Sequence, residues 1–334
     1  MGVGVGAMTE RTVLITDHSW PTVEIERDVL ARVGARIVEP RSGDEQELVE
    51  LARGASAIMT CFAQVPARVI DSAPGLQVVG RFGIGVDNIA VDAATRRGIP
   101  VTNVPVYCLD EVAEHVLALA LTLRRRTLDF DRAVRDGDWT LKTGMPMHRI
   151  SGQTLGILGY GKIGAAVAAR ARALGMHVVA NSRSVPAGRT YDDGVEAVDL
   201  DELAARSDVL TLHAPLLDAT RHVVDAAFIA RMKRTAVLIN TARGPLVDQD
   251  ALARALREGR IAGAGLDVFD PEHLPPGHPL LSAPNAVLTP HVAYYSEESV
   301  ADLRRASAEA VAAVLGGRAA ASVVNADALA ARAA

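Results

Sequence analysis

Cysteine is nearly absent from this 334-residue chain, and so is any large surplus of charge: it holds two cysteines, Cys61 and Cys108, and a formal net charge of −5. Two thiols exclude a disulfide framework, and neither has metal-ligand spacing around it, so no metal is expected and both read as small buried fillers. The weak acidity excludes the electrostatic footprint of a nucleic-acid binder. Arg124-Arg125-Arg126 reads instead as the cationic end of a helix. A secretory leader is not expected either. Met1-Gly-Val-Gly-Val-Gly-Ala-Met8 has no basic region and no long apolar segment, and its sixth residue is Gly where myristoylation needs Ser or Thr. The chain is therefore expected in the cytoplasm, with a flexible extension ahead of Met8. At 49% hydrophobic and 22% charged residues, the composition is that of an ordinary α/β protein, long enough for two domains.

Against that plain background one stretch stands out, Thr154-Leu-Gly-Ile-Leu-Gly-Tyr-Gly-Lys-Ile-Gly164. An apolar run ends in Gly159-x-Gly161-x-x-Gly164 and opens into an alanine-rich helix pattern. In a βαβ unit the first glycine permits a tight turn, the second lets backbone approach a pyrophosphate, and the third lets helix pack on strand. The helix N-terminus carries partial positive charge toward the phosphates. A lone glycine fingerprint is weak evidence, but Leu155 to Leu158 reads as a buried strand, Ala165 to Leu174 as a helix, Gly175 as its end and His177 to Ala180 as the next strand. A bound dinucleotide is expected.

An NAD site usually places a carboxylate about 20 residues beyond the fingerprint, to hold the ribose hydroxyls. This chain has Asn181-Ser-Arg-Ser184 there. Without the carboxylate nothing repels a 2′-phosphate, and Arg183 with the hydroxyls of Ser182 and Ser184 offers it a charge-assisted cradle. NADP(H) is the preferred reading. The alternative keeps Arg183 as a solvated loop charge, with NAD(H) bound through the serines.

Periodicity organises the rest. Strands are read at 13–16, 36–38, 57–60, 76–79 and 101–102, with helices at 25–33, 45–52, 66–71 and 91–97, one α/β unit of about a hundred residues. A long apolar helix follows from Leu109 to Arg126. It is too apolar for one buried face in a monomer, so a homodimer interface is expected. Glu111, Glu114 and His115 in its first half and the triple arginine at its end argue against a membrane span. Beyond the fingerprint, strands are read at 208–212, 236–240, 263–268 and 285–289. Helices fall at 199–205, 225–232 and 248–258, and a last helix at 297–315. The dinucleotide unit starts near Tyr107 and its last strand ends near Pro290, leaving the terminal helix to return to the first unit. Nesting of this kind predicts a hinged cleft in which substrate and cofactor meet.

Three polar residues follow strand ends of the cofactor unit, where open α/β sheets place their ligands. Arg243 could bind a substrate carboxylate bidentately and polarise the adjacent carbonyl. His291 can give and take a proton near neutrality. Glu272 could hydrogen-bond that imidazole and fix its tautomer. A lone histidine is ordinarily structural, so the other eight are discounted, although His213, at another strand end, is expected to line the cofactor pocket together with Pro215 and Thr220. His273 and His278 flank a proline-rich loop without metal partners.

These residues resemble the D-isomer-specific 2-hydroxyacid dehydrogenases, a family that includes phosphoglycerate dehydrogenase, hydroxypyruvate and glyoxylate reductases and the C-terminal-binding-protein corepressors. The resemblance rests on Gly80-Arg-Phe-Gly-Ile-Gly-Val-Asp-Asn88, the fingerprint, Asn240-Thr-Ala-Arg-Gly-Pro-Leu-Val-Asp248, Gly265-Leu-Asp-Val-Phe269 and Thr289-Pro-His291, in order and at family-like spacing. It implies that Arg243 binds the carboxylate and keto oxygen, that His291 is the acid/base and that Glu272 is its partner. It also puts Tyr160, Gly161, Lys162 and Ile163 beside the pyrophosphate, Asp267 and Thr241 near the nicotinamide, and Ile84 with Gly85 at the substrate carboxylate, in a homodimer formed through the helix at 109–126. Ser182 departs from the Asp of most NAD-dependent members and resembles the NADP-preferring hydroxypyruvate reductases. Tyr294 stands where the corepressors carry tryptophan; an aromatic wall there favours an apolar or larger substrate side chain over phosphoglycerate.

The expected fold is two nested doubly wound parallel-sheet domains: a Rossmann cofactor domain over 107–295 and a flavodoxin-like substrate domain over 8–106 and 296–334. The expected activity is reduction of a 2-oxo acid to a D-2-hydroxy acid, and the reverse, with a nicotinamide cofactor. The rival is a dinucleotide-sensing dimer that recruits protein partners as the corepressors do.

Overall fold

A computed structural model of the chain describes residues 11–140, 142 and 146–333. The leader Met1 to Met8 lies outside the described residues. The chain divides into two compact units, one built from residues up to Tyr107 together with those from Ser296 onward, the other from Cys108 to Tyr295.

The first unit is a five-stranded parallel sheet. Its strands are β1 (Arg11–Ile15), β2 (Ala35–Val38), β3 (Ala57–Thr60), β4 (Val78–Arg81) and β5 (Val101–Thr102), in the order β2-β1-β3-β4-β5. That is the flavodoxin-like order. The central strands carry apolar residues on both sides because both faces are covered. Val13, Ile15, Ala57 and Met59 point into a core shared with the helices Glu24–Ala31 and Glu297–Leu315, while Leu14 and Ile58 point into a second core under Glu45–Ala52, Ala67–Asp71 and Val91–Arg96. The C-terminal helix is tied down by a buried pair: Arg304 donates from Nε to Glu26 Oε1 at 2.9 Å and from Nη2 to Oε2 at 2.8 Å. Neither cysteine is in a disulfide and both are buried, and burial pushes the Cys61 thiol up to about 11.

The second unit is a seven-stranded parallel sheet: β6 (Thr154–Leu158), β7 (His177–Asn181), β8 (Glu196–Ala197), β9 (Val209–Leu212), β10 (Val237–Asn240), β11 (Gly263–Leu266) and β12 (Ala286–Leu288). Their order is β12-β11-β10-β9-β6-β7-β8. Counted within the unit this is the doubly wound dinucleotide order with one added edge strand, and it reverses between β6 and β9. The helix Leu109–Arg125 lays Ala113, Val116, Leu119 and Ala120 on the sheet face formed by Leu155, Ile157, Val209, Val237 and Ile239. No helix among the described residues is long and apolar enough to cross a membrane.

Three elements differ from their sequence-based ranges for identifiable reasons. The helix after β6 begins at Lys162, inside the fingerprint, because the glycines supply its first turn. β4 runs two residues further than its apolar run, since Gly80 and Arg81 are buried in the sheet. The helix Thr127–Arg135, absent from the sequence reading, buries only Ala133 and leaves Leu128 and Val134 exposed, so its apolar residues mark no buried face.

Candidate active site

The fingerprint loop joins β6 to the helix Lys162–Ala173. Gly159 has a φ of +95°, and a Cβ there would come within 2.4 Å of Ala214 N and 2.5 Å of His213 C, so only glycine lets this turn lie against the end of β9. A Cβ at Gly161 would meet nothing within 4 Å, which leaves its backbone approachable from that side. Lys162, Ile163 and Gly164 form the first helical turn, whose N-terminus favours negative charge. Tyr160 turns toward the loop after β7. Its ring lies 4.3 Å from that of Tyr191, and its hydroxyl donates to Asp193 Oδ2 at 2.5 Å. Burial and the Asp193 carboxylate push this phenol up from its ordinary range.

At the tip of β7 a bridge between Ser182 and Val185 closes a tight turn that presents Arg183 and Ser184 to solvent. Ser182 Oγ lies 2.9 Å from both Ser184 Oγ and Tyr191 OH. Tyr191 was not among the residues singled out in the sequence; its contact arises from the return of the loop, which leaves no local signal. His213 follows β9 with its Nε2 3.0 Å from Thr211 Oγ1. Burial drives its pKa down to about 4, so the ring is neutral at ordinary pH. Thr220 Oγ1 donates to Pro215 O at 2.7 Å and accepts from Leu217 N at 2.8 Å, knitting that loop to itself.

Three neighbouring strands, β10, β11 and β12, aim their carboxyl ends the same way. Thr241 follows β10 with a buried hydroxyl that has no hydrogen-bond partner, an atom awaiting a polar group. Arg243 comes two residues later. Its backbone carbonyl accepts from Asn240 Nδ2 at 2.8 Å and its Nη1 donates to Ala242 O at 2.7 Å. The next residue, Gly244, packs so closely on Phe269 that a Cβ would fall 2.0 Å from its carbonyl carbon. This contact welds the Arg243 loop to the loop after β11, which carries Glu272.

His291 follows β12, and its Nδ1 lies 2.6 Å from Glu272 Oε1. An ionised carboxylate only accepts, so Nδ1 carries a proton and Nε2 is the nitrogen left to exchange one. His291 has a φ of +55°, a left-handed backbone that is costly for a non-glycine residue and is sustained by bonds from its own loop. His291 N donates to Asp267 O at 2.8 Å. Asp267 is fully buried, and its carboxylate accepts from Val292 N and Ala293 N at 2.9 Å each. The ring of Tyr294 stands edge-on to His291, with centroids 6.2 Å apart.

Of the sequence candidates, then, His291 and Glu272 are in contact, Arg243 sits on the adjoining strand end, and Tyr294 flanks the imidazole. Ile84 and Gly85 lie in the first unit, in the loop after β4, where Asn103 Nδ2 donates to Ile84 O at 2.7 Å and Val104 N to Gly83 O at 3.0 Å. The open face of Gly161, the orphaned Thr241 hydroxyl and the helix N-terminus fit a dinucleotide.

A doubly wound sheet bearing this fingerprint defines a dinucleotide-binding domain. The family model described as "D-isomer specific 2-hydroxyacid dehydrogenase, NAD binding domain" matches residues 117–293. A glyoxylate reductase of Aeropyrum pernix is 41% identical over 287 residues, covering 84% of this chain and 86% of its own. A D-3-phosphoglycerate dehydrogenase of Methanocaldococcus jannaschii is 39% identical over 318 residues, 94% of this chain but 59% of the relative. The crystal structure of a glyoxylate reductase from Paecilomyes thermophila superposes with a TM-score of 0.85 at 30% identity, covering 95% of this chain and 99% of that one. The chain belongs to the D-isomer specific 2-hydroxyacid dehydrogenase family, and its activity is the nicotinamide-dependent interconversion of 2-oxo and 2-hydroxy acids.

Proposed function

We propose that this enzyme reduces a small 2-oxo acid of the glyoxylate type to the D-2-hydroxy acid, preferring NADP(H), with Arg243, Glu272 and His291 as its catalytic residues. The observation that carries the reading is the 2.6 Å contact between His291 and Glu272 beside the strand end that bears Arg243. The nicotinamide, when bound, supplies the hydride. Arg243 orients the substrate carboxylate through its planar fork and polarises the carbonyl. His291 delivers a proton from Nε2 to the oxygen that becomes the hydroxyl, and Glu272, across the ring, stabilises the imidazolium that must exist beforehand. The edge of Tyr294 beside His291 favours an uncharged substrate side chain over a phosphorylated one.

The cofactor preference rests on Arg183, Ser182 and Ser184 in a turn with no carboxylate of its own. A homodimer acting in the cytoplasm fits the same reading. Leu128, Val134 and Trp139 are exposed to 47%, 43% and 80%, an apolar surface beyond the long helix that suits a second subunit, and neither cysteine is in a disulfide.

A paired assay decides. Wild type and Arg183→Ala are given glyoxylate, hydroxypyruvate and pyruvate with NADPH and with NADH. The reading expects D-2-hydroxy acid product, and a KM for NADPH that rises at least tenfold in the variant while that for NADH stays within about twofold. Equal effects on both cofactors would remove the phosphate cradle, and inactivity toward every 2-oxo acid despite dinucleotide binding would remove the activity.

A further inference from the structure

Beneath the loop that carries His291 runs a polar chain that the acid–base pair does not use. His115, from the first half of the helix Leu109–Arg125, places its Nε2 3.0 Å from Thr289 Oγ1. Thr289 Oγ1 in turn donates to Asp267 Oδ1 at 2.5 Å. The same carboxylate holds the amides of Val292 and Ala293, so residues 289, 292 and 293 hang on Asp267 from both sides of His291.

Hydrogen-bond accounting fixes the direction of the chain. A hydroxyl has one hydrogen, and the short contact to a buried carboxylate claims that of Thr289. Thr289 Oγ1 must therefore accept from His115, which assigns the proton to Nε2 of that imidazole. His115 Nε2 is 3.7 Å from Asp267 Oδ1, too far for a hydrogen bond, so its hold on the carboxylate passes through the threonine.

We propose that His115 is a positioning residue for the reaction: by donating to Thr289 it locks the segment 289–293, and with it the left-handed backbone that aims the His291 imidazole. The proposal rests on His291 as the acid/base. A catalytic group must be held to within about 0.5 Å, and a misplacement of 1 Å can cost about a hundredfold. Loosening this anchor therefore lowers kcat while leaving the dinucleotide loop, which lies on β6, untouched.

Four variants of the whole enzyme test it: His115→Ala, His115→Gln, Thr289→Val and the double variant His115→Ala/Thr289→Val. The expected result is a kcat at least tenfold lower in His115→Ala, with KM for the nicotinamide cofactor within about twofold. His115→Gln, whose amide can donate from near the Nε2 position, recovers most of the rate. Thr289→Val matches His115→Ala, and the double variant is no slower than the slower single one, since both break one chain. The proposal is overturned if folded His115→Ala keeps kcat within twofold, if His115→Gln is as slow as His115→Ala, or if the two losses multiply. Should His115→Ala fail to fold, His115→Gln and Thr289→Val decide, because a near-normal rate in the first and a loss in the second are both required. His291→Ala is the control: its keeping near-normal turnover sinks the acid/base reading, whereas its losing turnover beside an unaffected His115→Ala sinks the positioning role alone.

Discussion

His213 and His291 both follow the carboxyl end of a parallel strand, yet their surroundings give them different behaviour. His291 has the Glu272 carboxylate as its partner, with Nδ1 2.6 Å from Oε1. His213 has Thr211 Oγ1 as its partner, and burial lowers its pKa to about 4. The unfolded chain takes up that proton near pH 6.5, whereas the folded protein resists it until about 4, so the unfolded state binds more protons throughout this interval. Stability contributed by a neutral His213 is thus present above about pH 6.5 and is lost as pH falls toward 4. Denaturant midpoints measured between pH 7 and 4.5 should drop more steeply for wild type than for His213→Gln; parallel curves would show that the ring is not the group responsible. At this scale the strand-end positions pointed to Arg243, Glu272 and His291 as candidates, and the structure brings the last two into contact. His115 and Tyr191 were not legible. Their partners lie on other elements, and a histidine in a helix or a tyrosine in a polar loop has no local mark of its contact.

Among the elements, the fingerprint turn is the most constrained. Gly159→Ala would force a Cβ to within 2.4 Å of the backbone of the neighbouring loop at a φ of +95°. Loss of roughly 2 kcal/mol or more of stability, together with at least tenfold weaker dinucleotide binding, is expected by calorimetry and titration. A variant with wild-type affinity and melting temperature would mean that the turn can relax at no cost. Most strands were readable because they centre on a short apolar run, as strands covered on both faces do. Their ends were less so: Gly80 and Arg81 look like loop residues but are buried in β4, and the two-residue edge strand β8 is too short to show a period. The helix Thr127–Arg135 was invisible because it buries only Ala133, so its apolar residues trace no buried face.

At the scale of the molecule, two parallel sheets with different strand orders come from one chain, and the discontinuity of the first unit follows from the helix Glu297–Leu315 packing on β4. The orders β2-β1-β3-β4-β5 and β12-β11-β10-β9-β6-β7-β8 were not written in any one segment. Periodicity supplied the elements, and family resemblance supplied their arrangement. The activity depends on one group giving a proton where hydride arrives. Turnover of a 2-oxo acid by His291→Ala, measured beside wild type with dinucleotide affinity checked in the same samples, addresses this directly. The account predicts a kcat lower by about 10² to 10⁴ with cofactor affinity within twofold. Near-wild-type turnover by the folded variant would contradict it.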